Sequence, residues 1–482
     1  MSIITVKTKN TETVLSAPDG TLLIDVLSEV GLYVPAACGR RGTCGKCRVK
    51  LLSGCFENEL PDEKGTVRSC RAVVNGDAVI EADFESGGGL TDFTQKEEIG
   101  NSICGIAVDI GTTTVAAVLK SKDGGTESAS CLNPQSAYGA DVISRIDACS
   151  KGKLNELTEL IRNAVKKLIS ELSDGKIEEM TVSGNAAMLH IFCGISPESM
   201  GVYPFTPQFT EVKRFSGSKL GFDVKKITVL PSVSAFVGGD ITAGIYALGL
   251  HETDKTVFLA DLGTNGELVL SHRGKLYCTS TAAGPALEGA CIECGTGGVS
   301  GAVDRVYKSD GRLSFTTVGG EEPAGICGAG LTDAIAIMVS DGIIDESGYM
   351  EAEKFSLCEN VYISQKDVRQ FQLAKSAIYS GIETLCEVVG INKTEIDAFY
   401  IAGGLGYYIR PESAFKSGLL PRIDEGKVIA AGNTSLQGAL MCLGSPQTAE
   451  EMQKIAESCQ TVDLGGNPDF NQKFMDNMFF TV

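Results

Sequence analysis

Cys104-Gly-Ile-Ala-Val-Asp-Ile-Gly-Thr-Thr-Thr-Val-Ala-Ala-Val-Leu119 reads as an apolar strand ending near Asp109, a tight turn of one glycine and three hydroxyls, and a second apolar strand. Gly111 permits the turn, and Thr112, Thr113 and Thr114 bring hydroxyls and backbone N–H groups beside one carboxylate. Such a turn can wrap phosphate and, through water, Mg²⁺. Taken alone it is equally an ordinary hairpin with an unusual turn. The pattern returns about 150 residues later in Thr256-Val-Phe-Leu-Ala-Asp-Leu-Gly-Thr-Asn-Gly-Glu-Leu-Val-Leu270, where Asp261 precedes Gly263, Thr264, Asn265 and Gly266. Two matching strand-Asp-turn-strand units a domain's length apart predict a duplicated architecture with a nucleotide held in the cleft between halves.

Working outward from the pair, Leu154 to Leu172 carries apolar residues at helical spacing and predicts a helix packed on a sheet. Strand Glu179 to Asn185 follows, with Gly184-Asn185 at the lip of the expected cleft. Asp240 opens a helix just before the second hairpin, where it either positions an attacking water or caps the helix. Downstream, Asp397-Ala-Phe-Tyr-Ile-Ala-Gly-Gly-Leu-Gly406 is a buried strand running into Gly403 and Gly404, whose missing side chains would let a base or ribose lie against backbone. In this order, the three stretches resemble the phosphate-1, phosphate-2 and adenosine motifs of the actin, sugar-kinase and heat-shock-chaperone ATPase superfamily.

The N-terminal part has another character. Ile3 to Thr8 and Thr11 to Ser16 predict a hairpin, Leu22 to Val30 a helix capped by Thr21, and Cys47 to Leu52 and Ala72 to Ile80 further strands. Between helix and strand lies Cys38-Gly-Arg-Arg-Gly-Thr-Cys-Gly-Lys-Cys47, a C-x5-C-x2-C loop, with a fourth cysteine, Cys70, after 22 intervening residues. Glycines 39, 42 and 45 let the loop turn its N–H groups towards sulfur, and Arg40, Arg41 and Lys46 offset thiolate charge. A structural zinc site is the alternative, though zinc sites usually come as two CxxC pairs. The order of elements resembles the β-grasp 2Fe-2S ferredoxins, with the adrenodoxin-type spacing, and the resemblance implies one 2Fe-2S cluster on Cys38, Cys44, Cys47 and Cys70. Cys55 has no place in the pattern and is expected to serve packing.

Composition limits the function class. Seventeen cysteines with three histidines leave little material for a histidine-based metal site, and the remaining thiols, Cys291-Ile-Glu-Cys294 included, are expected to be small buried residues rather than a second cluster. So many free thiols suit an anaerobic host. A net charge of −19 argues against a nucleic-acid partner, and no apolar run is long enough to span a membrane, so a cytoplasmic protein is expected. The fold class is α/β and α+β multidomain: a ferredoxin-like unit over 1–84, a linker over 85–103 on which that unit can swing, a first ATPase lobe over 104–250 and a second over 251–482.

Several stretches go beyond the superfamily, among them Asn133 to Ile146, Gly184 to His190, Ala283 to Ala290, Gly325 to Leu331 and Asp367 to Lys375. They resemble the ATP-dependent reductive activators of corrinoid proteins, which join a 2Fe-2S domain to an ATPase domain of this type. The resemblance implies ATP and Mg²⁺ as cofactors, a corrinoid protein of a methyltransferase system as partner, ferredoxin or flavodoxin as low-potential electron donor, and a homodimer. It further implies that the two turns wrap the phosphates, that Asp109 and Asp261 hold Mg²⁺ through water, and that Gly403 and Gly404 accept adenosine. Glu288 stands as a contact to adenosine or partner, or as a turn-stabilising carboxylate. Relatives of this kind are longer, and an additional middle domain is expected to be missing here. Corrinoid Co(II) is reduced only at very low potential, whereas a ferredoxin-type cluster sits near about −400 mV, so ATP would supply the difference. A metabolite kinase with a redox-sensing domain, an activator of a radical dehydratase and a degenerate scaffold are the competing readings.

Overall fold

The computed structural model describes residues 1–8, 12–29, 34, 36, 38, 40–43, 45–82, 103–122, 124–173, 175–309, 311–406 and 409–480. The N-terminal unit is a five-stranded sheet in the order Glu12–Ala17, Ser2–Lys7, Ala78–Glu81, Arg48–Ser53, Thr66–Arg68. Ser2–Lys7 pairs antiparallel with Glu12–Ala17 and parallel with Ala78–Glu81, so the first strand lies inside the sheet, and its alternating pattern buries Ile4 and Val6. Helix Leu23–Glu29 lays Leu23, Ile24, Val26 and Leu27 on that face. Its first amides are answered by the segment carrying the fourth cysteine: Leu23 N donates to Ala72 O at 2.9 Å and Ile24 N to Ser69 O at 3.1 Å. The turn expected at residues 9–11 lies outside the described residues, as does most of the linker.

Each ATPase sheet has the same topology. In the first, the strands in chain order are Ile103–Ile110, Thr114–Ser121, Thr126–Leu132, Ile177–Gly184 and Val224–Val229. In the second they are Val257–Leu262, Gly266–His272, Lys275–Thr281, Ala398–Ala402 and Val428–Gly432. Numbered within each lobe, both sheets run 3-2-1-4-5, with an antiparallel hairpin on one side of the first strand and parallel neighbours on the other. A sixth strand, Lys213–Ser216 or Gln460–Thr461, closes one edge of each. The duplication expected from the two Asp-bearing turns is therefore carried by whole sheets. Phe258 and Phe399, paired across the second sheet, stack with centroids 4.9 Å apart, worth about 0.5–1.5 kcal/mol beyond the area they bury.

Helix Leu154–Leu172 has the expected limits and buries Leu157, Ile161, Val165 and Leu168 on the first sheet. Two further helices cross between the sheets. Gly239–Ala247 meets Thr434–Cys442 so closely that a Cβ on Gly438 would lie 2.3 Å from Ala243 O. Leu436 and Ala439 of the later helix share a buried cluster with Ala107, Ala116 and Val118 of the first sheet. A segment far along the second lobe thus packs on the first.

Candidate functional site

The two hairpins face one another across a single cavity walled by Asp109, Gly111, Thr112, Thr113 and Thr114 from the first and Asp261, Gly263, Thr264 and Asn265 from the second. Asp240, Glu288, Gly403 and Gly404 line it as well. Gly266 does not: it sits behind the turn, where a Cβ would meet Thr281 Cγ2 at 3.0 Å, so its bareness serves strand packing. Gly111 earns its place in the turn, since its N–H donates to Thr114 O at 2.9 Å and a Cβ would lie 2.8 Å from that same oxygen.

The first turn is braced from behind by groups that sequence reading left without a role. Asn133 donates from its backbone to Thr113 O at 2.7 Å and from Nδ2 to Gly111 O at 2.8 Å, buried Arg145 donates to Thr112 O, and Asn185 Nδ2 to Thr112 Oγ1 at 3.1 Å. Asp109 is held from the far end of the chain: Asn433 Nδ2 donates to it at 2.8 Å and Ser435 Oγ at 2.7 Å. Burial raises its proton affinity and those two hydrogen bonds oppose the rise.

Burial, then the charges of Asp109 and Glu288, pushes Asp261 up to about 7. Burial, then Asp261 and Asp109, pushes Asp240 up to about 8. Glu267, absent from the expected set, also faces the cavity and is driven well above the ordinary carboxylate range by burial and by Asp240 and Asp261. Glu288 is raised by burial, against the hydrogen bonds of Thr264 and Thr113 and the nearby charge of Arg145. Asp240 does not cap its helix, because the N-cap position belongs to Gly238.

Five carboxylates therefore converge on a space whose described wall residues include no lysine or arginine. An anionic polyphosphate fits there only with a divalent cation between it and the acids. Among the described residues no three acids, thiols or imidazoles approach closely enough to hold a metal directly. Mg²⁺ keeps most of its waters and leans on one or two carboxylates plus phosphate oxygens, a role the acids of this wall can fill. Helix Gly328–Ser340 brings its N-terminus, Cys327 to Ala329, to the cavity wall without a side-chain cap, an arrangement compatible with an anion.

The glycine pair divides its tasks. Gly403 has φ 80°, and a Cβ there would meet Asp261 Oδ1 at 2.5 Å and Leu262 O at 2.8 Å. Its bareness makes room for the Asp261 carboxylate. Gly404 has nothing within 4 Å of a built Cβ, leaving open space on the cavity wall, as do Gly297 and Gly298 opposite. Glu288 accepts from Thr113 Oγ1 at 2.7 Å and from Thr264 Oγ1, joining the two phosphate turns through one carboxylate oxygen.

In the N-terminal unit, Cys38, Cys47 and Cys70 are buried, and Cys44 lies outside the described residues. Cys47 Sγ is 3.2 Å from Cys70 Sγ, and Ser69 N donates to Cys47 O at 2.9 Å, which fixes the pair. The contact with Cys70 draws the Cys47 thiol down to about 6, towards the thiolate an iron ligand requires. A two-iron cluster takes its thiolates in pairs, and the close Cys47–Cys70 pair fits that requirement. Gly42 and Gly45 both have positive φ, 75° and 72°.

The basic residues of the loop also have structural partners. Arg40 donates to Asp25 Oδ1 and Ala137 O, both at 2.7 Å, and Lys46 to Ile292 O and Gly295 O, so both tie the loop to protein. Arg68, bonded to Glu59 and to Gly42 O, is a further cation close to Cys70 and Cys47. Cys55 is exposed rather than packed, and Cys291 and Cys294 are half-buried rather than buried.

Comparison with known proteins places this geometry. Residues 4–75 match the 2Fe-2S iron-sulfur cluster binding domain, 104–253 the RACo middle region, and 255–482 the C-terminal domain of RACo, the ASKHA domain. The stretch expected as the first ATPase lobe is thus the one matched as a middle region, so that region is present and not missing. Corrinoid activation enzyme RamQ of Eubacterium limosum is 33% identical over 438 residues, covering 82% of this chain and 73% of that protein. The [Co(II) methylated amine-specific corrinoid protein] reductase of Methanosarcina barkeri is 25% identical over 393 residues, covering 73% and 72%. A solved structure of a reductive activator for corrinoid, iron-sulfur protein superposes with a TM-score of 0.74 at 26% identity, over 99% of this chain and 98% of that one. With a ferredoxin-type thiolate loop, duplicated lobes around an acidic cleft and these relatives, the chain belongs to the family of ATP-dependent reductive activators of corrinoid proteins.

Proposed function

We propose that the chain uses ATP to drive the one-electron reduction of a corrinoid protein from Co(II) to Co(I), restoring it for methyl transfer. The observation that carries the reading is the joining of two devices in one chain. Cys47, paired with buried Cys70 and suited to iron, closes a loop that is hydrogen-bonded to both lobes of an acidic, phosphate-wrapping cleft.

Cys38, Cys44, Cys47 and Cys70 would hold the cluster, which when bound supplies a single-electron carrier. In the cleft, the turns at Gly111 to Thr114 and Gly263 to Asn265 bind the phosphates. Asp109 and Asp261 orient hydrated Mg²⁺, and Gly404 with Gly297 and Gly298 leaves room for the nucleoside. Asp240, with proton affinity near neutrality, is suited to take a proton from the attacking water. Lobe closure on Mg-ATP then favours one state of the partner over another, and hydrolysis reverses the preference. The same proposal includes a low-potential ferredoxin or flavodoxin as donor, a homodimer, and a cytoplasmic setting. No described helix is long and apolar enough to cross a membrane.

The test mixes the anaerobically reconstituted protein, a low-potential reductant and a Co(II) corrinoid protein, and follows the Co(I) absorption band with and without ATP. The expected outcome is Co(I) only when ATP is present. Absence of an ATP-dependent signal with every corrinoid partner tried would sink the reading.

A further inference from the structure

We infer that the cluster loop is a clasp across the nucleotide cleft, and that phosphate arriving at Glu288 loosens it, so that nucleotide binding undocks the N-terminal unit from the ATPase lobes. The inference rests on the reading of the cleft as an ATP site and concerns how that site controls the cluster unit.

Two bridges cross the cleft. The inner one is the Glu288 carboxylate, which takes the Thr113 hydroxyl of one turn at 2.7 Å and the Thr264 hydroxyl of the other. Those hydroxyls are the groups set to wrap phosphate, and a carboxylate and a phosphoryl group repel at that distance. The nucleotide must therefore displace Glu288 from at least one turn. The outer bridge is the cluster loop. Towards the first lobe, Ala36 N donates to Ser136 O at 3.1 Å, Arg40 Nε to Ala137 O at 2.7 Å, and the Arg40 guanidinium lies 4.5 Å above the Tyr138 ring. Towards the second lobe, Lys46 Nζ donates to Ile292 O at 2.7 Å and Gly295 O at 3.1 Å.

Both landing points are fastened to the inner bridge. The turn Pro134–Tyr138 begins at Asn133, which holds Thr113 O and Gly111 O. Ile292 and Gly295 follow Glu288 directly in the chain, in a run tied back to it: Gly289 N donates to Ala286 O, Ala290 N to Pro285 O and Ile292 N to Gly289 O. A segment hydrogen-bonded to both lobes keeps both sets of bonds only at one lobe separation, so a change in that separation releases one end. By reciprocity, a docked cluster unit holds the cleft in its nucleotide-free arrangement, and freeing the unit tightens nucleotide binding by the same factor.

The experiment is hydrogen exchange on the full, cluster-loaded chain, with and without Mg²⁺ and a non-hydrolysable ATP analogue, paired with calorimetric affinity for the analogue in Lys46→Met. The analogue should speed exchange at Ala36 and over residues 292–295 by several-fold or more. Lys46→Met, checked for unchanged visible cluster absorbance, should bind the analogue on the order of tenfold more tightly. Should that variant lose its cluster, the exchange measurement on the parent chain decides alone. Analogue that binds while exchange at both segments stays the same overturns the clasp and leaves the ATP site standing. Failure of the analogue to bind at all removes the ATP site, and the clasp with it.

Discussion

Replacing Asp261 by Asn should stabilise the nucleotide-free protein while weakening its hold on Mg-ATP. Burial and the charges of Asp109 and Glu288 lift the Asp261 carboxyl from the ordinary 3.8 to about 7. Below about pH 4 the group is protonated in folded and unfolded chains alike and contributes nothing. Between there and about pH 7 the folded chain keeps a proton that the unfolded chain has released, so stability falls as pH rises; above that range the full penalty persists. Three decades of proton affinity correspond to about 4 kcal/mol. Because the carboxylate is partly open to cleft water, roughly half of that, about 2 kcal/mol, is the expected gain in Asp261→Asn near pH 8. For a unit of this size that means a melting temperature higher by roughly 4–8 °C.

The assay is thermal melting of apo protein and variant at acid and alkaline pH, with and without Mg²⁺. The gain should shrink towards pH 5, where both chains carry a neutral group at this position. Mg²⁺ should raise the melting temperature of the parent more than that of the variant, since it relieves the same repulsion. A variant that melts lower than the parent near pH 8, or a difference indifferent to pH, would refute the idea that the converging carboxylates strain the empty cleft.

Cys47→Ala should abolish the visible absorbance of the cluster and the ATP-dependent Co(I) signal, while calorimetry still shows Mg-nucleotide binding. Gly403→Ala, which drives a Cβ to 2.5 Å from Asp261 Oδ1 at φ 80°, should cost about 1–3 kcal/mol in denaturant melts. It should also weaken Mg-nucleotide binding by displacing that carboxylate. Affinity for Mg-nucleotide should rise with pH from about 6 to 8, because Asp261 must shed its proton to face the cation. Calorimetry in buffers of different ionisation heat would show the released protons, and a pH-flat affinity with no proton release would contradict it.

What sequence made legible was what is local. An Asp, a glycine and a run of hydroxyls between two apolar strands state their own turn, and the repeat of that turn states a duplicated fold. Gly403 was legible as special but not for its reason: it yields space to Asp261, a contact that exists only once strands Val257–Leu262 and Ala398–Ala402 pair. Asn433 and Ser435 reach Asp109 across more than three hundred residues, and nothing local marks them. Glu267 follows its turn by one residue and was read as an ordinary strand residue, since strand alternation alone does not say which face looks into the cleft. For Arg40 and Lys46, charge next to cysteines suggested charge compensation, whereas their partners include backbone carbonyls of distant segments that no spacing rule predicts.

Those two side chains bear on why the modules share one chain. A ferredoxin unit on a free tether would donate its electron to any acceptor within reach, whether or not ATP was bound, and the low potential would be spent without coupling. Docking through Arg40 and Lys46 places the thiolate loop against both halves of the cleft instead. Lobe geometry then determines how the cluster is held. The acidic cleft adds a second condition: with Asp109, Asp240, Asp261, Glu267 and Glu288 crowded together, its occupied state depends on Mg²⁺ arriving with the phosphates. Nucleotide and cation are thereby read jointly, and Glu288 is the residue through which that reading reaches the run of chain that Lys46 grips.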